Sequence, residues 1–323
     1  MSFSSFGLAE EIVRATEKCG YTNATPIQTK AIPAVLSGKD LLARAQTGTG
    51  KTAGFVLPIL HKLSDKSVKG PSSGRPPIRA LILTPTRELA TQIQQNVNDY
   101  GQFLKLDSMA MFGGASMHNQ LRRLRSRVDI LVATPGRLLD HLNRGTVDLS
   151  KLQVVVLDEA DRMLDMGFIK DVRKILAKTP KDRQNLLFSA TFSKEIEKLA
   201  KDSLRDPVRI QVAPANAPAE GVEQTAYRIE KKSKSAFLRH LIAEHNWYQV
   251  LVFMRTKHGA NKVTSQLLKS GVDAAVIHGG KRQNARTKAL EDFKKGKIQV
   301  LVATDIAARG LDINNLPMVI NFD

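Results

Sequence analysis

Residues Ala45-Gln46-Thr47-Gly48-Thr49-Gly50-Lys51-Thr52 set small residues, a lysine and a hydroxyl in an order suited to a polyphosphate. Gly48 and Gly50 allow close backbone approach, Lys51 can reach the β- and γ-phosphates, and the Thr52 hydroxyl can ligate Mg²⁺. The general form of such a loop opens with glycine, where this chain has Ala45. A second group, Asp158-Glu159-Ala160-Asp161, directly follows the apolar run Val154-Val155-Val156-Leu157. Asp158, at the end of a strand and beside a phosphate loop, is placed to hold Mg²⁺ directly or through water. The next carboxylate, Glu159, can orient or deprotonate the water that attacks the γ-phosphate. Together the two groups predict a nucleotide phosphate site.

Such a loop needs a strand before it and a helix after it. Leu41-Leu42-Ala43 supplies the first and Ala53-Gly54-Phe55-Val56-Leu57 can open the second, aiming N–H groups and a helix N-terminus at one point. Upstream, an amphipathic helix is expected over Ala9 to Cys19, ending at Gly20, and a second helix starts with Thr25 as N-cap and Pro26 at the first helical position. Asp65 to Pro77 has the composition of a surface loop. Beyond it, short apolar runs at Ala80–Leu83, Met109–Phe112, Ile130–Ala133, Val154–Leu157 and Leu186–Phe188 alternate with helical patterns. That alternation predicts an α/β fold with a parallel sheet covered by helices on both faces. Ligands of such sheets bind at the carboxyl ends of the strands. Residues 208–221 read as a linker, rich in Ala and Pro over 213–219. Strands then resume near Thr225–Ile229, Val250–Met254, Ala274–Ile277, Val300–Ala303 and Met318–Phe322. The expected domains are therefore residues 1–207 and 222–323.

The totals agree with two domains, at 323 residues with 42% hydrophobic and 25% charged. One cysteine, Cys19, excludes an internal disulfide and fits a reducing compartment. No run approaches the roughly 20 apolar residues of a membrane span, and Met1 to Glu11 lacks signal-peptide features. A cytoplasmic location is expected. Forty-nine basic against 31 acidic residues give +18, which predicts attraction to polyanions, nucleic acid first. A solvated basic surface or an acidic protein partner would carry the same charge.

The motif set resembles that of the DEAD-box RNA helicases, whose name Asp158-Glu159-Ala160-Asp161 spells. Gly20 to Gln28 is similar to the family's Q motif, with Phe3 at the position of its upstream aromatic, and Ala45–Thr52 matches the family's own phosphate loop. Pro85-Thr86-Arg87-Glu88-Leu89-Ala90, Gly113-Gly114, Thr134-Pro135-Gly136-Arg137 and Ser189-Ala190-Thr191 follow in order. The second unit carries Leu251–Lys257, His278-Gly279-Gly280, Gln283–Arg286 and Ala303–Asp312. Among subfamilies, bacterial RhlE-type enzymes are the most similar.

The resemblance implies two tandem RecA-like domains, with ATP and Mg²⁺ on one side and RNA on the other. Gln28 would read adenine, Tyr21 and Phe3 would pack on the base, and Thr25 would support them. Asp312 would reach the ribose and Arg309 would bridge the closed domains. Ser189 and Thr191 would hold Asp161 and couple the ATP site to RNA. Pro85, Thr86, Arg87, Gly114, Thr134, Gly136 and Arg137 would contact the RNA backbone from the first domain. Thr256, Lys257, Gly279, Gln283, Arg286 and Thr304 would do so from the second. Backbone contacts of this kind imply largely sequence-independent binding of single-stranded RNA and short duplexes.

The family's last motif, which carries the arginine finger, would follow Asn321-Phe322-Asp323, so the second domain is expected to be truncated and turnover impaired. The activity expected is ATP-dependent local unwinding of short RNA duplexes and remodelling of RNA–protein complexes. A non-catalytic, ATP-gated RNA clamp is the alternative from another class. A DNA translocase is the other, opposed by Gln28 and its surrounding motif.

Overall fold

The computed structural model describes residues 1–46, 48–64, 77–212, 222–305, 313 and 316–323, which fall into two compact units, 1–218 and 219–323. The expected surface loop, apart from its last residue, therefore lies outside the described residues. So do most of the linker, Thr47, Arg309 and Asp312.

In the first unit a short 3-10 helix, Phe3–Phe6, precedes α1 (Glu10–Lys18), α2 (Pro26–Leu36), β1 (Leu41–Arg44) and α3 (Lys51–Ser64). Next come β2 (Ala80–Leu83), α4 (Arg87–Tyr100), β3 (Ser108–Met111), α5 (Met117–Leu124), β4 (Ile130–Ala133) and α6 (Pro135–Asn143). The unit ends with β5 (Val154–Leu157), α7 (Ala160–Asp165), α8 (Ile169–Leu176), β6 (Gln184–Ser189), α9 (Lys194–Ser203) and β7 (Val208–Gln211). All pairings are parallel, in the order β3-β4-β2-β5-β6-β1-β7.

β2, β4 and β5 are apolar throughout, because successive side chains of a central strand enter different cores. Leu41, Ala43, Ala80, Ile82, Val154, Val156, Leu186 and Phe188 meet α2, α3 and α4 on one face. Leu42, Leu81, Leu83, Val155, Leu157 and Leu187 meet α5 to α9 on the other. Both layers are needed to cover the sheet.

The second unit contains α10 (Lys234–Glu244), β8 (Val250–Met254), α11 (Lys257–Lys269), β9 (Ala274–Ile277), α12 (Gln283–Lys294), β10 (Val300–Thr304) and β11 (Met318–Asn321). Its parallel sheet has the order β11-β8-β10-β9. Val250, Val252, Val300 and Val302 fill one core, and Leu251, Leu301 and Ala303 the other. These are two α/β units with parallel sheets flanked by helices.

Two expectations are corrected. Residues 208–211, expected in the linker, form β7 and pair with β1 from Leu41↔Val208 to Arg44↔Gln211. As an edge strand it buries Ile210 and leaves Arg209 and Gln211 exposed, so it lacks the all-apolar run that marked the central strands. The strand expected at Thr225–Ile229 is absent: none of the four described strands of this unit pairs with it, and residues 222–228 are exposed. An extended segment without a ladder partner remains irregular.

Candidate nucleotide and nucleic-acid site

The parallel ladder continues one residue past several strands. Ala45 N donates to the Ser189 carbonyl at 3.1 Å, Asp158 N to Leu83 at 2.9 Å, and Thr134 N to Met111 at 3.0 Å. The motifs thus leave the sheet side by side at its carboxyl edge. β1, β6 and β5 deliver the phosphate loop, Ser189–Thr191 and Asp158–Asp161. The next three strands, β2, β4 and β3, deliver Pro85–Arg87, Thr134–Arg137 and Gly113–Gly114.

Gly48 and Gly50 adopt φ of +83° and +86°, a region that L side chains avoid. Ala45 has no positive φ, which explains why glycine is dispensable there. The Q motif grips the loop through its carbonyls. Thr25 Oγ1 donates to Thr49 O at 2.8 Å, and Gln28 Nε2 donates to Gly50 O at 3.0 Å. In a planar trans peptide the N–H points opposite to the C=O. Drawing these two carbonyls toward α2 therefore turns the N–H groups of Gly50 and Lys51 away from it, toward the ligand side. Gln28 Oε1 meanwhile accepts from Thr25 N at 2.9 Å. One amide hydrogen and one oxygen lone pair of Gln28 remain, a donor and an acceptor as adenine requires.

The base-packing aromatics divide. Tyr21 is half exposed and stacks edge-on against Tyr100, with ring centroids 6.0 Å apart. Phe3 is instead 3% exposed, in the core against Phe6, so its ring belongs to the fold. The turn of the 3-10 helix drives it inward.

Lys51 is 7% exposed and its ammonium has no hydrogen-bond partner among the described residues. A buried, unsatisfied cation is costly, and a phosphate would supply what is missing. Thr52 follows it in α3, while Asp158 is buried at 2% exposure and accepts from Glu159 N at 3.0 Å. A hydroxyl and a carboxylate are the hard oxygen donors that Mg²⁺ prefers, so the residues fit the ion. Burial pushes the Asp158 carboxyl up, and the Lys51 charge draws it back. Glu159 is likewise pushed up, by burial and then by Asp158. It sits at φ 51°, ψ 51°, a left-handed conformation rare outside glycine, and pairs with Arg162 at 3.4 Å.

Asp161 crosses from the end of β5 to that of β6. Its Oδ2 accepts from Ala190 N at 3.2 Å, Thr191 N at 3.1 Å and Thr191 Oγ1 at 3.2 Å. Thr191 thus holds Asp161 as expected. Ser189 does not: its buried hydroxyl has no partner among the described residues. Two backbone N–H groups take the place it was expected to fill.

In the expected RNA-contact group, Thr86 caps α4 by accepting from Leu89 N at 3.3 Å. The Arg87 guanidinium lies over Gly114, where a Cβ would come within 2.6 Å of its Cζ. Arg137 Nη1 donates to Ala115 O at 3.1 Å and to Gln120 Oε1 at 2.8 Å. Gly136 faces open space. Sequence reasoning passed over Gln120, whose signal was a polar residue on the buried side of α5, one turn before Leu124.

The second unit repeats the arrangement at its own carboxyl edge, where β8, β10 and β9 end at Thr256-Lys257, Thr304 and His278-Gly279. Thr256 Oγ1 caps α11 by accepting from Gly259 N at 3.0 Å. A Cβ at Gly279 would touch the Lys257 stem, 3.9 Å from Cε. Gln283 opens α12, and Arg286 is buried one turn on. His278 Nδ1 accepts from Gly280 N at 3.1 Å, and Nε2 meets Asn261 Oδ1 at 3.2 Å. Among the described residues, no helix is long and apolar enough to cross a membrane.

Residues 25–199 match the DEAD/DEAH box helicase family and residues 233–323 the helicase conserved C-terminal domain. The chain belongs to the DEAD/DEAH box helicases. Among DEAD/DEAH box relatives, the ATP-dependent RNA helicase RhlB of Pseudomonas syringae pv. tomato is 44% identical over 99% of this chain and 81% of its own length. The ATP-dependent RNA helicase CshA of Limosilactobacillus reuteri is 41% identical over all of this chain and 63% of its own. A solved structure of Saccharomyces cerevisiae Dbp5 bound to RNA and ADP BeF3 is also similar, with TM-score 0.87 and 30% identity over all of this chain and 80% of that one. The RecA-like reading of both units agrees with this neighbour.

Proposed function

We propose that this chain is an ATP-dependent RNA helicase that opens short duplexes locally and remodels RNA–protein complexes. The observation that carries the proposal is the buried Lys51 ammonium, which follows the Gly48–Gly50 turn, acts electrostatically on Asp158 and has no hydrogen-bond partner among the described residues. A nucleoside triphosphate would satisfy that cation and the N–H groups turned toward it. Mg²⁺, held by Thr52 and Asp158, would neutralise charge on the β- and γ-phosphates. Glu159 would orient the attacking water, and Asp161 would pass the state of the nucleotide to the Ser189–Thr191 segment. Pro85, Arg87, Gly114, Thr134, Gly136 and Arg137 would hold the RNA backbone, as would Thr256, Lys257, Gly279, Gln283, Arg286 and Thr304 in the second unit. The likeness to Dbp5, solved with RNA and a nucleotide mimic, and to the RhlB and CshA helicases supports this reading. Within the family, the motif set favours an RhlE-type enzyme, working in the cytoplasm.

Titration with a fluorescent ATP analogue and with single-stranded RNA and DNA of one sequence tests the proposal. Lys51→Ala should lose most of its nucleotide affinity. Glu159→Gln should keep that affinity and hydrolyse about 10²–10⁴-fold more slowly. RNA should bind more tightly than DNA when nucleotide is present. Full affinity in Lys51→Ala would remove the phosphate-loop assignment, and equal RNA and DNA binding would remove the RNA assignment.

A further inference from the structure

Arg137 reaches the nucleic-acid edge from the first turn of α6, but it does not hold itself there. Its Nη1 spends both hydrogens on the protein, one on Ala115 O and one on Gln120 Oε1. Gln120 is 6% exposed, and its Nε2 donates to Phe112 O at 3.0 Å. That bond fixes the amide orientation, because a carbonyl demands the nitrogen and a guanidinium the oxygen. The oxygen also meets His141 Nε2 at 3.2 Å. Since Gln120 Oε1 only accepts, His141 carries its proton on Nε2 and donates. On the far side of the ring, Nδ1 lies 2.8 Å from Thr146 Oγ1, whose one hydrogen is then given to Nδ1 rather than to the His141 carbonyl 3.1 Å away. His141 itself is completely buried in the layer covering the second face of the sheet.

We infer that Gln120 and His141 are positioning residues for RNA binding: the chain Thr146–His141–Gln120–Arg137 locks the guanidinium against the Gly113–Ala115 segment. The inference rests on the reading of Arg137 as an RNA-backbone contact. Nη2 and Nε are the donors left to point at a phosphate, with Asp140 standing 4.0 Å from Nε. A long, flexible side chain loses rotamer freedom on binding, and holding it beforehand removes part of that cost. Burial, then the charges of Arg137 and Arg144, depress the His141 pKa against the opposing Asp140, which favours the neutral ring. The same lock sets the spacing between the ends of β3 and β4, two of the three strands that deliver the expected contacts.

The test is a double-mutant cycle on the whole chain, reading affinity for a labelled single-stranded RNA across a salt series. Arg137→Ala should weaken binding about tenfold and make the log–log salt slope shallower by about 0.7, the equivalent of one phosphate. Gln120→Met should weaken it about three- to tenfold, with little further effect once Arg137 is alanine. His141→Phe should behave like Gln120→Met. His141→Gln, whose amide hydrogen replaces Nε2–H, should bind within about twofold of the parent and keeps the proposal testable if the phenylalanine or methionine variant fails to fold. Affinity for a fluorescent ATP analogue should not change in any of the four. If Arg137→Ala binds RNA normally, the RNA-contact reading fails. If it binds weakly while Gln120→Met and His141→Phe bind normally, or their losses simply add to that of Arg137→Ala, the positioning role fails alone. Equal losses in His141→Gln and His141→Phe would also overturn it.

Discussion

The Gln28 side-chain amide donates to the Gly50 carbonyl at 3.0 Å, joining the start of α2 to the turn that precedes Lys51. The contact is close enough that a single methyl group at Gly50 would collide with Gln28 Nε2. If Gln28 reads adenine as proposed, base recognition and phosphate-loop geometry depend on one side chain. A nucleotide whose base moved Gln28 would also move the N–H groups that meet its phosphates.

Gln28→Leu should consequently reduce affinity for a fluorescent ATP analogue by about tenfold or more, since about 1.4 kcal/mol is one decade. Gly50→Ala should reduce it further and lower stability by roughly 1–2 kcal/mol, because the residue sits at φ +86°. Adding Gln28→Ala to Gly50→Ala removes the collision but not the backbone strain, so thermal stability should recover only in part. Unchanged affinity in Gln28→Leu would show that the loop keeps its shape without this bond.

The unequal positions of Ser189 and Thr191 give a second expectation. Thr191→Val removes a hydrogen bond to Asp161 and should cost about 0.5–1.5 kcal/mol in urea unfolding of the first domain. Ser189→Ala removes a buried hydroxyl without a partner, so stability should stay level or rise. Greater destabilisation by Ser189→Ala than by Thr191→Val would reverse the assignment of which hydroxyl secures Asp161.

A pH dependence follows from His278. Burial, then Lys281, Lys257 and Arg286, hold its imidazole below the ordinary histidine range, and Nε2 faces the neutral Asn261. The unfolded chain takes up a proton near pH 6.5 that the folded chain still refuses, so stability falls as pH drops below about 6.5. Buried carboxylates elsewhere, Asp158 and Glu159, change stability in the opposite sense. The clean readout is thus the difference in unfolding free energy between wild type and His278→Asn, measured from pH 7.5 to 5.5. Wild type should lose ground to the variant toward the acid end. A flat difference would contradict the neutral, buried histidine.

The sequence by itself determined what is local. Apolar runs of four or five residues alternating with helical patterns point to strands buried on both faces, and β2, β4, β5 and β8 lie where those runs do. Gly48, Gly50, Lys51 and Thr52 declare a phosphate loop because its chemistry needs those types at that spacing. Tertiary structure decided whatever depends on a distant partner. β7 exists because Leu41–Arg44 offers it a ladder, and residues 225–229 form no strand because no described strand pairs with them. Phe3 is core rather than site because a 3-10 turn carries it inward, and Ser189 loses Asp161 to backbone donors that no residue pattern displays. Gln120 shows in the sequence only as a polar residue one turn before Leu124, and the roles of Gln120 and His141 are not legible there for the same reason. Their partners Arg137 and Phe112 lie 17 and 8 residues from Gln120, and only packing α5 and α6 on one face of the sheet brings the four together.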